Sequence, residues 1–480
     1  MKKLIKFGTS GWRAIIADEF TFENVKILSQ SIADYIIEKH LEEDGIVVGY
    51  DTRFMTKTFA EVVSRVVAAN GINVYLCNES TPTPVIAYEI IKNKRGGAVN
   101  ITASHNPPEY SGIKFSPEWG GPALPQTTKW IEDRANYLLE ESQKGVEVYK
   151  YDDLYNLLAS EKIKYIDPKP LYFDRIRELI DIDEIKKAGL KVIYDPLYGT
   201  GLGYVDELLK ECDVAVEVVN DIENPLFGGS TPEPSEENLS KNSGLLKKEK
   251  FDMIVSTDGD ADRFGVVDKK GEYIQANYIL ALLLDYLIEE RGWEGGVGRS
   301  VATSHFVDAV AKYHGIKTYE TPVGFKYIGD LLTRGNIILG GEESSGLTIK
   351  GHVPEKDGIL ADLLIVEMVA KRGKSLVDMI DDLYDKVGKY YSARINFKLS
   401  GEEEKQKFVK FFDMEIKKFG GKKVSKVIRV DGTKLLFDDN SWVLFRMSGT
   451  EPVIRYYVEA HSLEELEELK NIGKQLIENG

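Results

Sequence analysis

Short apolar runs of β type alternate with longer helical patterns along most of this chain of 480 residues. In the first part, the runs 46–49, 74–76 and 98–101 have the length and composition of strands, whereas 22–40 and 59–70 have the periodicity of helices. The residues 84–93 add a third helical pattern before the last of these strands. This alternation predicts an α/β fold.

Two further blocks repeat the alternation, and a last block departs from it. The second block has predicted strands at 191–194, 214–219 and 253–256, with a helix at 204–211 after the first of them. The third block begins with a predicted helix at 278–291. It continues with strands at 297–301, 316–320 and 337–339 and a second helix at 306–313 after the first of these strands. From about Tyr390 a strand pattern is followed by an acidic-then-basic helix at 402–418, strand candidates near Val427 and Trp442, and a closing helix at 463–477. The last block therefore predicts an α+β domain.

Apolar periodicity lapses near residues 165, 268 and 387, and we place domain boundaries there. The length of 480 residues suffices for three or four domains. The predicted organisation is three α/β domains at 1–165, 166–268 and 269–387, followed by the α+β domain at 388–480.

Charge and cysteine content limit the classes of function. The formal net charge is −16, which argues against nucleic acids and anionic membranes as partners because both bind basic surfaces. The two cysteines, Cys77 and Cys212, have no pairing pattern, as expected in a reducing compartment. The longest apolar run, 278–288, contains Asp285 and is too short to span a bilayer, and no signal-like segment begins the chain. We therefore expect a cytoplasmic protein.

The stretch 101–122 contains a serine placed directly after a predicted strand, in the sequence TASHNPP at 102–108. The two prolines stiffen the backbone beyond Ser104, so this serine is held at a fixed position. A serine hydroxyl is a poor nucleophile unless a base, a metal or positive charge activates it, and His105 and Lys114 are nearby candidates. The alternative is a polar surface turn, since Ser, Asn and Pro are ordinary turn residues.

Alternate aspartates follow the predicted strand 253–256. On a turning backbone, Asp258, Asp260 and Asp262 can direct three carboxylates at one point, which suits a hard dication such as Mg²⁺. A calcium loop of the EF-hand type is excluded because Arg263 stands where that loop needs glycine and Lys269 where it needs glutamate. The alternative is an acidic turn, but close unpaired carboxylates repel one another unless a cation is present.

A glycine-rich segment at 340–346 contains paired glutamates and paired serines. Its spacing imitates a Walker A loop, but Leu347 and Thr348 replace the Lys and Ser/Thr that such a loop requires. Glutamate and serine side chains instead suit hydrogen bonding to neighbouring sugar hydroxyls, with Lys356 as a cationic contact for phosphate. A simple glycine-rich turn is the alternative.

The segment 446–452, RMSGTEP, follows the strand candidate at Trp442. It offers the guanidinium of Arg446, two hydroxyls and backbone N–H groups exposed by glycine, which together are typical of an anion-binding loop. Arg455 could join this loop or lie on the next strand.

The four loops, together with GTSGWR at 8–13, resemble the α-D-phosphohexomutase superfamily of phosphoglucomutases and phosphomannomutases in the same order from end to end. The resemblance implies an α/β protein of four domains around a central cleft: three similar α/β domains with mixed sheets and a smaller α+β C-terminal domain. Each domain would contribute one loop to the site.

The resemblance also implies a role for individual residues. Ser104 would be the phosphorylated serine, and Asp258, Asp260, Asp262 and a phosphoserine oxygen would hold Mg²⁺. Arg13, Lys114 and Arg263 would surround the transferring group, with Lys114 and His105 as candidates for proton transfer. The substrate-binding residues would be Gly324, Phe325, Lys326, Glu342, Ser344, Lys356, Arg446, Ser448, Gly449, Thr450 and Arg455.

The activity implied is the interconversion of hexose 1-phosphate and hexose 6-phosphate through a bound hexose 1,6-bisphosphate, with glucose 1,6-bisphosphate as activator. The paired glutamates and the EKDG run at 355–358 favour glucose, although Phe325 stands where the glucose-specific pattern often has tryptophan. A phosphomannomutase, a dual-specificity enzyme, a phosphoglucosamine mutase and a metal-dependent phosphatase with a serine nucleophile are the alternatives. A non-catalytic sugar-phosphate binder would lack the nucleophile or the metal ligands, whereas this sequence has all of them. We expect the protein to be a monomer or a homodimer.

Overall fold

The computed structural model describes residues 4–8, 11–401, 403, 406, 408–410, 416–447 and 453–479. These residues form two compact units. The first comprises Met1–Gln275, Gly324–Gly335 and Ser344–Val377, and the second comprises Ala276–Val323, Asn336–Glu343 and Asp378–Gly480.

The first unit begins with a mixed sheet of seven strands covered by helices on both faces. In spatial order the strands are Phe7–Gly8, Gly11–Ile15, Tyr110–Pro117, Gly97–Ile101, Ile46–Tyr50, Val74–Cys77 and Ile163–Ile166. The first four pair antiparallel and the last four parallel. The helices of this part are Phe22–Glu38, Thr56–Ala69, Thr83–Asn93, Pro125–Gln143 and Leu154–Ala159.

Side chains of neighbouring strand residues pack against helices on opposite faces of this sheet. Val48 and Val99 pack into a core that includes residues of the helices 22–38, 56–69 and 125–143. Their neighbours Val47 and Ala98 face the other side and pack against the helix 83–93. Successive side chains of a strand point to opposite faces, so a strand buried on both faces reads as the continuous apolar run seen here.

A second mixed sheet of five strands completes the framework of the first unit. Its order is Tyr273–Ile274, Phe264–Asp268, Met253–Thr257, Lys191–Asp195 and Ala215–Val218. Met253–Thr257 and Phe264–Asp268 form an antiparallel hairpin, so the residues 258–263 are its connecting turn. The helices are Lys169–Leu179, Ile182–Ala188, Val205–Glu211, Glu236–Leu239 and Ser243–Glu249, with 3₁₀ turns at Phe227–Gly229 and Ser240–Asn242. The segments 324–335 and 344–377 add the helices Phe325–Thr333 and Gly358–Arg372 and the strand Gly346–Ile349.

The second unit contains a parallel arrangement and an antiparallel sheet. Strands Thr318–Thr321, Gly296–Ser300 and Ile337–Glu342 pair parallel in that order, and the helices Ala276–Glu289 and Phe306–Tyr313 accompany them. The helix Leu376–Val387 runs from the first unit into the second. The antiparallel sheet has the order Tyr391–Lys398, Val453–Ala460, Trp442–Met447, Thr433–Phe437, Lys422–Ile428 and Lys418–Phe419, and its core includes residues of the closing helix Leu463–Asn479.

The predicted fold class is confirmed, with helices and mixed sheets in α/β domains and a C-terminal α+β part. Two local expectations were incomplete. The stretch 101–122 contains the strand Tyr110–Pro117, and Gly340–Glu342 belong to a strand rather than a loop. The helix predicted at 402–418 falls partly outside the described residues, and Lys418 begins a strand instead. No helix within the described ranges has both the length and the apolar character needed to cross a membrane.

Candidate active site

Ser104 lies in the turn between the antiparallel strands Gly97–Ile101 and Tyr110–Pro117. Its side chain is buried, and its backbone adopts a left-handed conformation with φ of 53°. Ser104 Oγ donates a hydrogen bond to Asp258 Oδ2 at 2.7 Å and lies 3.3 Å from His105 Nδ1. The structure therefore brings the predicted serine onto the predicted acidic loop.

The three aspartates of the hairpin turn lie together in the interior. The side chains of Asp258, Asp260 and Asp262 are fully buried, and each offers an oxygen within 4.8 Å of the others. The turn is closed by Asp258 Oδ1, which accepts hydrogen bonds from the N–H groups of Asp262 at 2.9 Å and Arg263 at 3.0 Å. The alternation of the sequence thus brings all three carboxylates together, with one oxygen of Asp258 also closing the turn.

Two lysines neutralise part of this negative charge. Lys114 Nζ donates to Asp260 Oδ2 at 2.5 Å and to Asp262 Oδ2 at 2.9 Å, and Lys356 Nζ also donates to Asp262 Oδ2. Burial by itself would lower the pKa of Lys114, but the carboxylates of Asp260 and Asp262 raise it above its ordinary value. Lys114 is therefore held in its charged form.

The same contacts shift the pKa values of the three aspartates in opposite directions. Burial and its two acidic neighbours raise the pKa of Asp258 well above its usual range. Burial opposes ionisation of Asp260 and Asp262 as well, but the ammonium groups of Lys114 and Lys356 lower the pKa of both carboxyls. Unequal titration of neighbouring carboxylates is frequent at functional sites.

The carboxylate oxygens fit a divalent cation. Asp260 Oδ1 and Asp262 Oδ1 are buried, and neither has a hydrogen-bond partner among the residues that the structure describes. Buried polar atoms are almost always satisfied, and a cluster of carboxylate oxygens is the donor set that hard cations such as Mg²⁺ prefer. The acidic triad could therefore hold a metal.

Two arginines extend the positive charge around Ser104. Arg13 Nη1 donates to Asn106 Oδ1 at 2.6 Å, and Arg263 Nε lies 3.9 Å from Asp262 Oδ1. Burial, followed by the neighbouring Arg263 and Arg13, holds the pKa of His105 well below its ordinary value, so the imidazole is neutral at pH 7. Clustered cations of this kind stabilise the charge that develops during phosphoryl transfer.

Four family profiles match successive parts of the chain. They are the phosphoglucomutase/phosphomannomutase alpha/beta/alpha domains I at residues 4–141, II at 170–271 and III at 275–387, and the C-terminal domain at 395–472. A "Phosphoglucomutase/phosphomannomutase" of Thermococcus kodakarensis is 33% identical over 98% of both chains. The chain belongs to the phosphoglucomutase/phosphomannomutase family. It is accordingly an intramolecular phosphotransferase of the α-D-phosphohexomutase superfamily.

Other phosphoglucomutase/phosphomannomutase relatives differ in name. A "Probable phosphoglucosamine mutase" of Methanosphaera stadtmanae is 30% identical over the whole of both chains. A Thermus thermophilus protein whose solved structure carries a phosphomannomutase name is 30% identical, covers 100% of both chains and superposes with a TM-score of 0.85. The family is thus shared by relatives named for different sugars.

The sequence run 355–358 has a structural explanation within this family fold. Asp357 Oδ1 accepts from Leu360 N at 2.9 Å and thereby caps the helix Gly358–Arg372, while Asp357 Oδ2 accepts from Tyr172 Oη at 2.6 Å. This double anchorage fixes the backbone next to Lys356, whose ammonium group reaches Asp262. Burial raises the pKa of the adjacent Glu355 to about 7.

Three predicted sugar contacts of the first unit lie around the start of one helix. Gly324 precedes the helix Phe325–Thr333 with φ of 128°, a conformation that favours glycine, and Phe325 is buried whereas Lys326 is half-buried. Ser344 is half-buried in a separate turn, and its neighbour Ser345 accepts a hydrogen bond from Phe264 N at 3.1 Å through its carbonyl. Ser344 is thus tied to the strand that follows the acidic turn.

The remaining predicted contacts belong to the second unit. Glu342 is buried at the end of the strand Ile337–Glu342. Arg446 and Arg455 are direct partners on neighbouring antiparallel strands, and Arg446 Nε donates to Asp431 Oδ2 at 2.9 Å. Cross-strand partners share a face, so Arg455 stands beside Arg446 although it lies on the next strand. Ser448, Gly449 and Thr450 lie outside the described residues.

Two residues of this site, Thr83 and Asn100, were not predicted. Thr83 Oγ1 donates to Asp260 Oδ2 at 2.6 Å and accepts from Asn100 Nδ2 at 2.8 Å, and Thr83 N donates to Asp260 O at 2.9 Å. The sequence TPTP at 81–84 was a usable signal, because proline at the second position of the helix Thr83–Asn93 marks where that helix begins. The contact of Thr83 with Asp260 joins residues 177 positions apart and has no local signature.

Proposed function

We propose that this phosphotransferase interconverts hexose 1-phosphate and hexose 6-phosphate, with glucose favoured, and that Ser104 carries the transferred phosphoryl group. The observation that supports this most directly is the position of Ser104 Oγ, which is bonded to an acidic triad that two lysines flank. A nucleophile, oxygen ligands for a cation and clustered positive charge are the parts that phosphoryl transfer requires.

In the first step, the bond between phosphorus and Ser104 Oγ breaks while a bond forms from phosphorus to the free hydroxyl of the hexose monophosphate. The hydroxyl gives up its proton as the departing Ser104 Oγ gains one, so the proton carrier of the site ends the step in its starting protonation state, and the product is an enzyme-bound hexose 1,6-bisphosphate. After this intermediate turns over, its other phosphoryl group returns to Ser104. Added glucose 1,6-bisphosphate would phosphorylate any unmodified Ser104 in the same way.

The acidic residues would bind the metal, and the basic residues would orient the phosphoryl group and transfer protons. Mg²⁺ bound by Asp258, Asp260 and Asp262 would offset negative charge on the phosphoryl group. Arg13 and Arg263 would orient that group, while Lys114, held charged, would supply a proton at Nζ to the departing oxygen. His105 Nδ1, neutral and 3.3 Å from Ser104 Oγ, is the alternative proton carrier.

The preference for glucose is supported by the resemblance of the paired glutamates 342–343 and of the run 355–358 to those of phosphoglucomutases. A dual activity on glucose and mannose phosphates is the second candidate, and the Thermococcus kodakarensis relative named for both activities favours it. Glu342 and Ser344 would bind two ring hydroxyls. Lys356, Arg446 and Arg455, with Ser448, Gly449 and Thr450, would bind the phosphate that does not react.

The test measures the product of glucose 1-phosphate with Mg²⁺ and catalytic glucose 1,6-bisphosphate. Wild type should form glucose 6-phosphate, and Ser104→Ala should lose at least about a thousandfold in rate because the covalent step is removed. Ser64→Ala, which removes a buried serine hydroxyl bonded only to the backbone of its own helix, is the matched control. Release of free phosphate, or a Ser104→Ala enzyme that keeps most of its activity, would contradict the proposal.

The sugar preference is tested separately by comparing kcat/KM for glucose, mannose and glucosamine 1-phosphates. Glucose 1-phosphate should be the best substrate. A clear preference for either of the other two would overturn the assignment of the sugar without affecting the role of Ser104.

A further inference from the structure

Arg53 is a buried arginine, 3% exposed, that follows the strand Ile46–Tyr50. A guanidinium carries five N–H donors in a fixed plane. All five are used here, one by a carboxylate and four by backbone carbonyls. The acceptors are Asp51 Oδ2 at 3.1 Å from Nε, Pro107 O and Tyr110 O at 2.7 and 3.1 Å from Nη1, and Ser104 O and Asn106 O at 2.6 Å each from Nη2.

Three of the four carbonyls belong to the turn that carries Ser104, and the fourth is that of Tyr110, the first residue of the strand that follows. In that turn Ser104 has φ of 53°, a conformation that residues other than glycine rarely adopt. Buried carbonyl oxygens need donors, and Arg53 provides one for each. A single side chain from another part of the sheet therefore binds four carbonyls that shape the serine turn.

Arg53 is itself held in place. Asp51 Oδ1 accepts from Arg53 N at 2.9 Å and Asp51 Oδ2 from Arg53 Nε, so the carboxylate fixes both ends of the residue. The centre of the Phe227 ring lies 4.8 Å from the guanidinium carbon of Arg53. With every N–H donated, Arg53 has no donor left for a substrate phosphate, unlike Arg263, whose Nε has no hydrogen-bond partner within the described ranges of the chain.

We propose that Arg53 is a positioning residue that sets the backbone conformation of the serine turn and thereby directs Ser104 Oγ toward the acidic triad. This inference rests on the proposed role of Ser104. Lysine cannot replace Arg53, because its single ammonium group has three donors on a flexible stem and cannot span four carbonyls and a carboxylate.

The test compares Arg53→Lys with Arg95→Lys. Arg95 is a suitable control because it also donates two hydrogen bonds to a buried carboxylate, that of Glu89, in the same domain but makes none to the serine turn. For each enzyme, kcat and KM for glucose 1-phosphate, the phosphate content of Ser104 and the phosphate released per glucose 6-phosphate are measured. Rates are normalised to the folded fraction from thermal unfolding, and Arg53→Gln serves as a second variant if Arg53→Lys does not accumulate as folded protein.

Arg53→Lys should lose about a hundredfold in kcat, since small misplacements of a reacting group cost that much, while KM changes by less than about threefold. The phosphate released per turnover should rise, because a displaced phosphoserine donates less selectively to the sugar. A normalised kcat within about threefold of that of Arg95→Lys, with unchanged phosphate release, would overturn the proposal. If Ser104→Ala remained active, the role of Ser104 would fail instead, so the two failures are distinguishable.

Discussion

At the scale of single residues, the carboxylate of Asp260 is oriented by hydrogen bonds to one of its two oxygens. Its Oδ2 accepts hydrogen bonds from both Lys114 and Thr83, whereas its Oδ1 has no partner in the part of the chain that the structure describes. Two donors on one oxygen fix the rotation of the carboxylate and leave the other oxygen for a ligand. Residues that orient metal ligands in this way typically affect metal affinity strongly.

Thr83→Val should weaken Mg²⁺ binding about tenfold, because it removes the hydroxyl that orients Asp260 while keeping the shape of the side chain. Mg²⁺ affinity is measured by titration calorimetry and from the Mg²⁺ dependence of the rate. Thr83→Ser, which retains the hydroxyl, is the control. Equal Mg²⁺ affinity in the two variants would show that the hydroxyl does not orient Asp260.

Several site residues could be predicted from the sequence because their signals are local. The aspartates at 258, 260 and 262 stand two positions apart, and Ser104 directly follows a strand-like run. Local sequence marked Thr83 only as the start of a helix, and neither its contact with Asp260 nor that of Arg53 with Ser104 had a local signal, since the partners lie 177 and 51 residues away in the chain. Their roles depend on tertiary packing, which no local pattern encodes.

At the scale of elements, two turns from different sheets meet closely. A Cβ added at Gly259 would lie 2.6 Å from the carbonyl oxygen of Ser104, which is too close for any real contact of this kind. Glycine at this position therefore allows the turn of the acidic hairpin to pack against the serine turn.

Gly259→Ala should reduce kcat about tenfold or more, because the new methyl group must displace the carbonyl that precedes His105. Steady-state rates and the melting temperature are measured together. Gly244→Ala is the control, since a Cβ there meets no atom within 4 Å and the residue lies in the helix Ser243–Glu249. If both variants had the rate of the wild type, the two turns would not be closely packed in solution.

Most helices and strands could be predicted from the periodicity of apolar residues, and the main exception, the strand Tyr110–Pro117, has a physical reason. The strands Ile46–Tyr50 and Met253–Thr257 are buried along their whole length, and each begins with a continuous apolar run of three residues. The strand Tyr110–Pro117, which carries Lys114, contains serine, glycine and lysine because it runs beside the site. A strand that serves the site loses the apolar pattern by which strands are predicted.

At the scale of the whole molecule, the second unit buries a lysine whose titration should affect stability. Lys434 is fully buried, and Nζ donates to Val301 O at 2.9 Å and lies 3.9 Å from the centre of the Trp442 ring. Burial, followed by repulsion from Arg299, lowers the pKa of Lys434 to about 7 despite nearby carboxylates. The charged and titratable neighbours are Arg299, His305, Asp308, Glu320 and Glu459.

The wild type should gain stability relative to Lys434→Met as the pH rises from about 7 to about 10. In that interval the unfolded chain binds a proton at Lys434 that the folded chain does not, so the free energy of unfolding increases with pH. Melting temperatures of both proteins across this range are the measurement. A difference that stays constant with pH would show that Lys434 keeps its proton on folding.

Ser104 and its partner Asp258 stand 154 residues apart in the chain, and Lys356 stands a further 94 residues beyond Asp262. A ribosome adds about 5–20 residues per second, so the serine turn is made on the order of ten seconds before the acidic turn that it contacts. During this interval Ser104 has neither its carboxylate partner nor the lysine from the later segment. The order of synthesis thus completes these contacts late, since the ammonium group of Lys356 can join them only when nearly three quarters of the 480 residues have been translated.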